Sequence, residues 1–126
     1  KGGYYCKPTI FINADKDMKI AQEEIFGPVL SVIKASSISE IINIANDCIY
    51  GLSASIWGEN INTIQKILRD LKVGTVFVNN YGGDNIAAPF GGYKQSGNGS
   101  KDKSLEAFNV YTQKKTIWIE VDHNIV

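Results

Sequence analysis

Strand-like and helix-like spacings of apolar residues alternate along residues 29–78. Residues 29–34 and 73–78 are apolar runs of strand length, and residues 52–56 alternate between apolar and small polar side chains. Between these runs lie two stretches with helical spacing, formed by Ile38, Ile41, Ile42, Ala45 and Ile49 and by Ile61, Ile64, Leu68 and Leu71. This order predicts right-handed crossovers in an α/β fold: a partial, open, mostly parallel sheet with flanking helices.

Local signals predict where the two longer helices begin and end. Ser37 and Glu40 have the spacing of a capping box, and either Asn60 or Asn62 can cap the second helix. Gly51 is expected to end the first helix in a left-handed conformation. The run 73–78 has the continuous apolar character of a strand that is buried on both faces of a parallel sheet.

The charge of the chain is balanced, with 13 Lys and Arg against 13 Asp and Glu among 126 residues. A net charge of zero gives no electrostatic reason to expect nucleic acid or an anionic membrane as a partner. The chain is long enough for one globular domain with its own core. No apolar run approaches the ~20 residues of a membrane-spanning helix, and no signal-peptide pattern is present, so we expect a cytoplasmic protein.

Few side chains suited to metal or nucleophilic chemistry are present. Cys6 and Cys48 are the only cysteines and are expected to be reduced thiols, and His123, the only histidine, lies near the C-terminus. A histidine-dependent triad or a multi-histidine metal site therefore cannot be built from this chain. The acidic residues before position 24 match no calcium-loop spacing, and no metal site is predicted.

Residues 74–99 contain seven of the twelve glycines and follow the last predicted strand. Ligands of open α/β sheets gather at the carboxyl ends of strands, so this segment is a candidate functional loop, with a flexible connector as the alternative. Two runs in this segment resemble phosphate-binding motifs, but both are incomplete. In the run from Gly92, Asn98 stands where a P-loop needs lysine, and the run from Gly97 lacks the third glycine of a dinucleotide fingerprint.

Further elements are predicted near the two ends of the chain. Residues 8–12 predict a short strand, and residues 103–111 a short helix. Residues 116–121 (TIWIEV) predict an exposed strand with Ile117 and Ile119 on one face, which requires a partner sheet.

Three motifs, taken together, are specific enough to indicate a protein family. EEIFGPV at 23–29, VNN at 78–80 and PFGGYKQSGNG at 89–99 resemble the C-terminal part of the aldehyde dehydrogenase superfamily, the NAD(P)-dependent enzymes that oxidise aldehydes to acids. The resemblance extends from GYYCKPTIF near the N-terminus to KKTIWIEV near the C-terminus. The loop from GYKQSGNG to EAF is most similar to members that act on γ-glutamyl-γ-aminobutyraldehyde and related aminoaldehydes.

The resemblance assigns roles to four residues. Glu24 resembles the carboxylate that accepts hydrogen bonds from the nicotinamide ribose of NAD or NADP, and Phe26 resembles the ring that packs beside the nicotinamide. Phe90 resembles an aromatic wall of the aldehyde channel. Asp84 falls where many relatives carry an apolar residue, and a carboxylate there would favour a substrate with a cationic amino group.

The family's catalytic motifs do not occur in this sequence. Its nucleophilic cysteine lies in a Gly-Gln-x-Cys context and its general-base glutamate in a Leu-Gly-Gly-Lys motif, and neither is present. The resemblance therefore implies that residues 1–112 are the C-terminal portion of a catalytic domain and residues 113–126 an oligomerisation strand and tail. We expect the chain alone to be inactive, because the catalytic cysteine, the general-base glutamate and the family's N-terminal cofactor-binding domain are missing. We also expect it to form homo-oligomers through its C-terminal strand. The alternative is a truncated, non-catalytic assembly module.

Overall fold

A computed structural model describes residues 2–83 and 85–121 of the chain; Lys1, Asp84 and residues 122–126, which include His123, lie outside the described residues. The strands are β1 (Thr9–Phe11), β2 (Val29–Ser31), β3 (Tyr50–Gly51), β4 (Ser53–Ile56), β5 (Thr75–Val78) and β6 (Tyr93–Lys94). The helices are α1 (Lys19–Gln22), α2 (Ile38–Asn46), α3 (Ile61–Asp70) and α4 (Phe108–Tyr111), with a single 3₁₀ turn at Leu105–Ala107.

Parallel pairing confirms the α/β class. β1 pairs with β2 in parallel, and β4 pairs with β5 in parallel, with Ser53 opposite Thr75 and Ile56 opposite Val78. A helix separates the two strands of each pair along the chain, as parallel pairing requires. The predicted alternation of β4 is confirmed as well, because Ala54 and Ile56 are half-buried while Ser53 and Ser55 are exposed.

The described strands form three two-stranded ladders and not one open sheet. The third ladder, between β3 and β6, is antiparallel and pairs Tyr50 with Lys94 and Gly51 with Tyr93. The Gly51 carbonyl also accepts a hydrogen bond from Gly74 N at 3.1 Å. Residues 50–56 therefore run between two neighbours, the glycine-rich loop on one side and β5 on the other. β5 itself is half-buried to exposed, so the prediction of burial on both faces is wrong for these residues.

The two longer helices begin where their local sequence predicts. Ser37 Oγ accepts a hydrogen bond from Glu40 N at 3.1 Å, and Asn60 Oδ1 accepts one from Thr63 N at 3.0 Å. The reciprocal half of the capping box is displaced by one residue, because the Glu40 carboxylate accepts from the amide and the hydroxyl of Ser36. Both helix starts thus satisfy free amide groups with their own side chains.

The end of α2 differs from the prediction. The helix stops at Asn46, and Gly51 lies in β3. Asn46 Nδ2 donates to Asp70 O at 2.8 Å, and Asn46 Oδ1 accepts from Lys72 N at 2.8 Å, so its amide joins the ends of α2 and α3. Contacts between distant segments end this helix, and no left-handed glycine is used.

The small core is formed mainly by α2 and α3, which contact each other. Ile42 of α2, Ile64 and Ile67 of α3, and Ala14 are its buried apolar residues. Ile67 was not in the predicted apolar stripe of α3, and Ile61, which was, is exposed. The other three predicted members of the stripe, Ile64, Leu68 and Leu71, are buried or half-buried as expected.

The C-terminal segment departs from the predicted strand. The predicted helix over 103–111 appears as the 3₁₀ turn followed by α4. Residues 116–121 are exposed and carry no strand, so within the described chain TIWIEV has no pairing partner. Across the described residues, no helix is both long and apolar enough to cross a membrane.

Candidate cofactor and substrate clefts

The structure distinguishes the two adjacent glutamates at the end of α1. Glu23 N closes the helix on Lys19 O at 2.9 Å, and the Glu23 carboxylate lies 3.7 Å from Lys19 Nζ. Among the described residues, no hydrogen bond or ion pair engages the Glu24 carboxylate. Glu24 instead lines an open cleft of about 370 Å³. One glutamate is thus paired within the helix, and the other is available to a ligand.

The cleft beside Glu24 is built mostly from the loop that follows α2 and from β3 and β4. Its other lining residues are Ala45, Cys48, Tyr50, Gly51, Leu52, Ser53, Ala54, Leu71, Val73 and Ser96. Most of these side chains are small or apolar, so Glu24 is the only acidic group on the lining. A carboxylate in such a cleft can accept two hydrogen bonds from a vicinal diol.

Phe26 projects its ring into solvent, and its side chain is 91% exposed. Its φ of +49° is in the left-handed region, which costs an L-residue about 1–2 kcal/mol. The turn that follows is fixed by Val29 N donating to Gly27 O at 2.8 Å and by Thr9 N donating to Pro28 O at 2.9 Å. An exposed aromatic ring held by a strained backbone is typical of a functional position.

Phe90 lines a second open cleft, of about 520 Å³, with two more aromatic residues, Phe77 and Tyr81. Ser53 and Ser55 of β4 supply hydroxyl groups, and Gly82 and Gly83 complete the lining with Lys103. Lys103 Nζ lies 5.7 Å from the centroid of the Phe90 ring, within the range of a cation–π interaction. Three aromatic rings with a few polar groups have the character of a small-molecule site.

Four positions of the glycine-rich segment, Gly74, Gly91, Gly92 and Gly97, are closely packed, so the alternative of a flexible connector is wrong for these residues. A Cβ on Gly74 would clash with the Gly91 carbonyl oxygen, and a Cβ on Gly92 would clash with the Ser96 carbonyl oxygen. Asp102 N donates to Phe90 O at 2.8 Å on the other side of the loop. Glycine at these positions allows backbone to approach backbone, and this contact holds the segment that carries Phe90.

Two of the four predicted site residues lie in two neighbouring clefts. Glu24 and Phe90 line different clefts, which share Ser53, and Phe26 lines neither of them. Asp84 lies outside the described residues. Sequence reasoning missed Ser53, Phe77 and Tyr81, although the period-two pattern of β4 already placed its serines on one face.

The resolved pKa shifts lie outside these two clefts. Hydrogen bonds from the Ser36 hydroxyl and amide lower the pKa of Glu40. Hydrogen bonds to Asp17 and Asp47 raise the pKa of Lys16, whose ammonium lies 2.6 Å and 3.1 Å from their carboxylates. Both groups stabilise local structure. The described residues contain no group of three or more His, Cys, Asp or Glu side chains able to hold a metal ion.

Comparisons with known proteins agree on one family. A model described as the aldehyde dehydrogenase family matches residues 1–117. The chain is 48% identical over 115 residues to the NADP/NAD-dependent aldehyde dehydrogenase PuuC of Escherichia coli K12, covering 91% of this chain and 23% of that protein. It is 41% identical over 120 residues to an aminoacetaldehyde dehydrogenase of Pseudomonas aeruginosa, covering 95% of this chain and 24% of that protein.

A solved structure agrees with this result. An indole-3-acetaldehyde dehydrogenase of P. syringae, a mutant in complex with NAD+ and IAA, superposes with a TM-score of 0.84 at 52% identity. The match covers 93% of this chain and 23% of that one. The chain therefore spans about a quarter of the length of the proteins that it matches.

Proposed function

Because this chain belongs to the aldehyde dehydrogenase family, we propose that it forms part of an NAD(P)-dependent enzyme that oxidises an aldehyde to its carboxylic acid. In this proposal residues 1–112 contribute to the catalytic domain, and residues 113–126 contribute the contact with another subunit. The chain supplies cofactor orientation and part of the substrate channel. The nucleophilic cysteine and the general base lie in motifs that this sequence does not contain.

The observation that carries the proposal is the Glu24 carboxylate, which lines a cleft and has no ion pair among the described residues. Its two oxygens suit the vicinal hydroxyls of a nicotinamide ribose, and the exposed Phe26 ring lies two residues away for contact with the nicotinamide. The residues present therefore fit the nicotinamide end of NAD or NADP. When bound, this cofactor accepts a hydride. The role of this chain is to hold it in orientation.

Calorimetric titration of NAD into the purified chain tests this proposal, and the neighbouring glutamate supplies the control. We expect Glu24→Gln to weaken binding by about tenfold, which corresponds to the loss of about 1.4 kcal/mol from hydrogen bonds to a charged group. Glu23→Gln, which removes only the ion pair with Lys19, should leave binding unchanged. Equal effects of the two substitutions, or no binding by the unsubstituted chain, would contradict a cofactor contact at Glu24.

The substrate is proposed to be an aminoaldehyde that enters the cleft at Phe90. The three aromatic rings of this cleft suit a small organic aldehyde, and the relative from P. aeruginosa is named for aminoacetaldehyde. Asp84 remains a proposed selectivity residue for the amino group. In a complete enzyme that carries this segment, Asp84→Ala should raise KM for aminoaldehydes and leave KM for uncharged aldehydes unchanged. Equal kinetics with both substrate classes would remove Asp84 from the proposal.

We also propose that the 126-residue chain has no dehydrogenase activity by itself. Covalent catalysis requires a thiolate that adds to the aldehyde, and Cys6 and Cys48 lie outside the family's nucleophile motif. The absorbance of NADH provides the assay. Formation of NADH from NAD and an aldehyde by the pure chain would refute this statement.

A second candidate function, assembly, is favoured by the C-terminal segment. Ile117, Trp118 and Ile119 are 70–93% exposed, and the backbone of residues 116–121 is not in a ladder within the described chain. An apolar segment of this kind can add to the edge of a sheet in another subunit. Sedimentation velocity should show oligomers that Ile117→Lys and Ile119→Lys together dissociate. A monomer without these substitutions would contradict assembly by this segment.

A further inference from the structure

The backbone carbonyl groups of residues 46–51, which we name the carbonyl loop, are all engaged by hydrogen-bond donors. Donors from α1, the glycine-rich segment and the start of β5 take part, together with one thiol of the loop itself. The pairs, in order, are Asn46 O and Cys48 O with Lys94 Nζ (both 2.8 Å), Asp47 O with Gln22 Nε2 (2.7 Å), Ile49 O with Gln95 N (2.9 Å), Tyr50 O with Cys48 Sγ (3.3 Å) and Gly51 O with Gly74 N (3.1 Å).

The carbonyl loop forms one side of the cleft that Glu24 lines. Cys48, Tyr50 and Gly51 belong to both the loop and the lining of the cleft. The position of Glu24 relative to this wall therefore determines the shape of the cleft. The Glu24 side chain has no hydrogen bond among the described residues that would hold it beside the loop. A neighbouring residue must therefore hold the backbone around Glu24 in place.

Gln22 is this neighbouring residue. It is the last residue of α1, and its Nε2 donates to Lys16 O at 2.6 Å and to Asp47 O at 2.7 Å. The first bond holds α1 to the segment before it, and the second holds it to the carbonyl loop. Two residues of extended chain span at most about 7 Å, so an anchor at Gln22 confines Glu24 to a small volume beside the cleft.

Lys94 supports the same loop through two further hydrogen bonds. Its ammonium donates to two carbonyls at the end of α2, where a cation also interacts favourably with the helix dipole. Lys94 is four residues after Phe90, in the segment that lines the substrate cleft. The carbonyl loop is thus bonded both to Gln22, next to Glu23 and Glu24, and to Lys94, in the segment that carries Phe90.

We propose that Gln22 is a positioning residue for Glu24, acting through the Asp47 carbonyl of the carbonyl loop. The proposal rests on the proposed cofactor role of Glu24, since it names the residue that orients this carboxylate. Gln22 itself does not line the cleft. Its effect is to keep residues 23–26 in one conformation before a ligand arrives, which reduces the ordering entropy that binding must offset.

The test measures backbone order in the full chain without ligand, by ¹⁵N relaxation. In the unsubstituted chain, amides of residues 23–26 should have order parameters of ~0.85. Gln22→Met keeps the length of the side chain but removes its donors, so it should lower these order parameters below ~0.6. Gln22→Lys should restore the original values, because an ammonium can donate to both carbonyls. Gln65→Met, on the exposed face of α3 and away from the cleft, is the matched control.

Two results would overturn the positioning role. The first is unchanged order at 23–26 in Gln22→Met. The second is a loss of order that spreads to β4 and β5 together with a lower urea midpoint, because this would indicate a general loss of stability. Failure of Gln22→Lys to restore order would also count against the proposal.

A titration with NAD then separates this inference from the function on which it rests. We expect Gln22→Met to weaken NAD binding by about threefold to tenfold and Gln22→Lys to restore it. If the unsubstituted chain binds no NAD while the order parameters change as expected, the cofactor role fails and the anchoring of residues 23–26 by Gln22 stands. If NAD binds and Gln22→Met alters neither order nor affinity, the positioning role fails.

Discussion

Replacing Gly74 by alanine tests the closest backbone contact in the structure. Gly74 begins the segment that enters β5, and a Cβ there would overlap the Gly91 carbonyl oxygen and lie 2.8 Å from its carbonyl carbon and 3.2 Å from Gly92 Cα. All three neighbours are backbone atoms, so no side chain can rotate to make room. Gly74 is not among the residues with positive φ, so alanine adds no backbone strain of its own.

The expected loss of stability follows from two unfavourable contributions and one that opposes them. Over-packing of this kind costs about 1–3 kcal/mol. Displacement of the loop also breaks the bond from Gly74 N to Gly51 O, which contributes about 1 kcal/mol. The lower entropy of an unfolded alanine offsets about 0.4–1 kcal/mol. The net loss is about 1–3.5 kcal/mol, or a fall in Tm of about 4–13 °C at the unfolding entropy of a domain of this length.

Urea unfolding followed by circular dichroism measures this loss, and Gly58→Ala is the matched control. A Cβ on Gly58 meets nothing within 4 Å, so this second substitution should be neutral or slightly stabilising. If Gly74→Ala and Gly58→Ala unfold at the same midpoint, the close approach of Gly74 to the Phe90 segment is wrong. The packing argument for the glycine-rich loop would then fail.

Three further substitutions test local parts of the structure. Lys94→Met should lower the free energy of unfolding by about 1 kcal/mol in urea titrations, because two exposed charge-assisted bonds are lost; an unchanged midpoint would exclude Lys94 as a helix anchor. Thr75→Val should stabilise the chain by about 0.5–1 kcal/mol in the same assay, since the buried Thr75 hydroxyl has no hydrogen-bond partner among the described residues. The Glu40 carboxylate has a pKa lowered from 4.5, so its stabilising effect is complete above that pH and is lost as the pH falls through the lower, folded-state pKa. Glu40→Gln should therefore flatten the acid side of a stability–pH profile, and an unaltered profile would argue against the bonds to Ser36.

Features that depend on neighbours in sequence were predictable. The starts of α2 and α3 follow from side chains that bond to amides three residues ahead, at Ser37 and Asn60. The parallel pairing of β4 with β5 follows from two strand-like runs separated by a helical stretch. The strand after Glu24 and Phe26 was also predicted, as residues 29–34, whereas the short helix α1 before Glu24 was not. In each case the physical cause lies within a few residues, where spacing and residue type are sufficient.

Features that depend on distant segments were decided by the tertiary structure. α2 ends at Asn46 because partners 24 and 48 residues away bind its amide and its carbonyl, so Gly51 is not needed as a stop. Glu23 and Glu24 are the same residue type, and the ion pair of Glu23 with Lys19 is local in sequence, but only the fold places Glu24 on a cleft. The seven glycines of residues 74–99 were compatible with a flexible connector, and only the approach of Gly91 to Gly74 shows that the loop is packed. Sequence spacing reports interactions along the chain, whereas the clefts are formed by backbone groups that meet only when distant segments fold together.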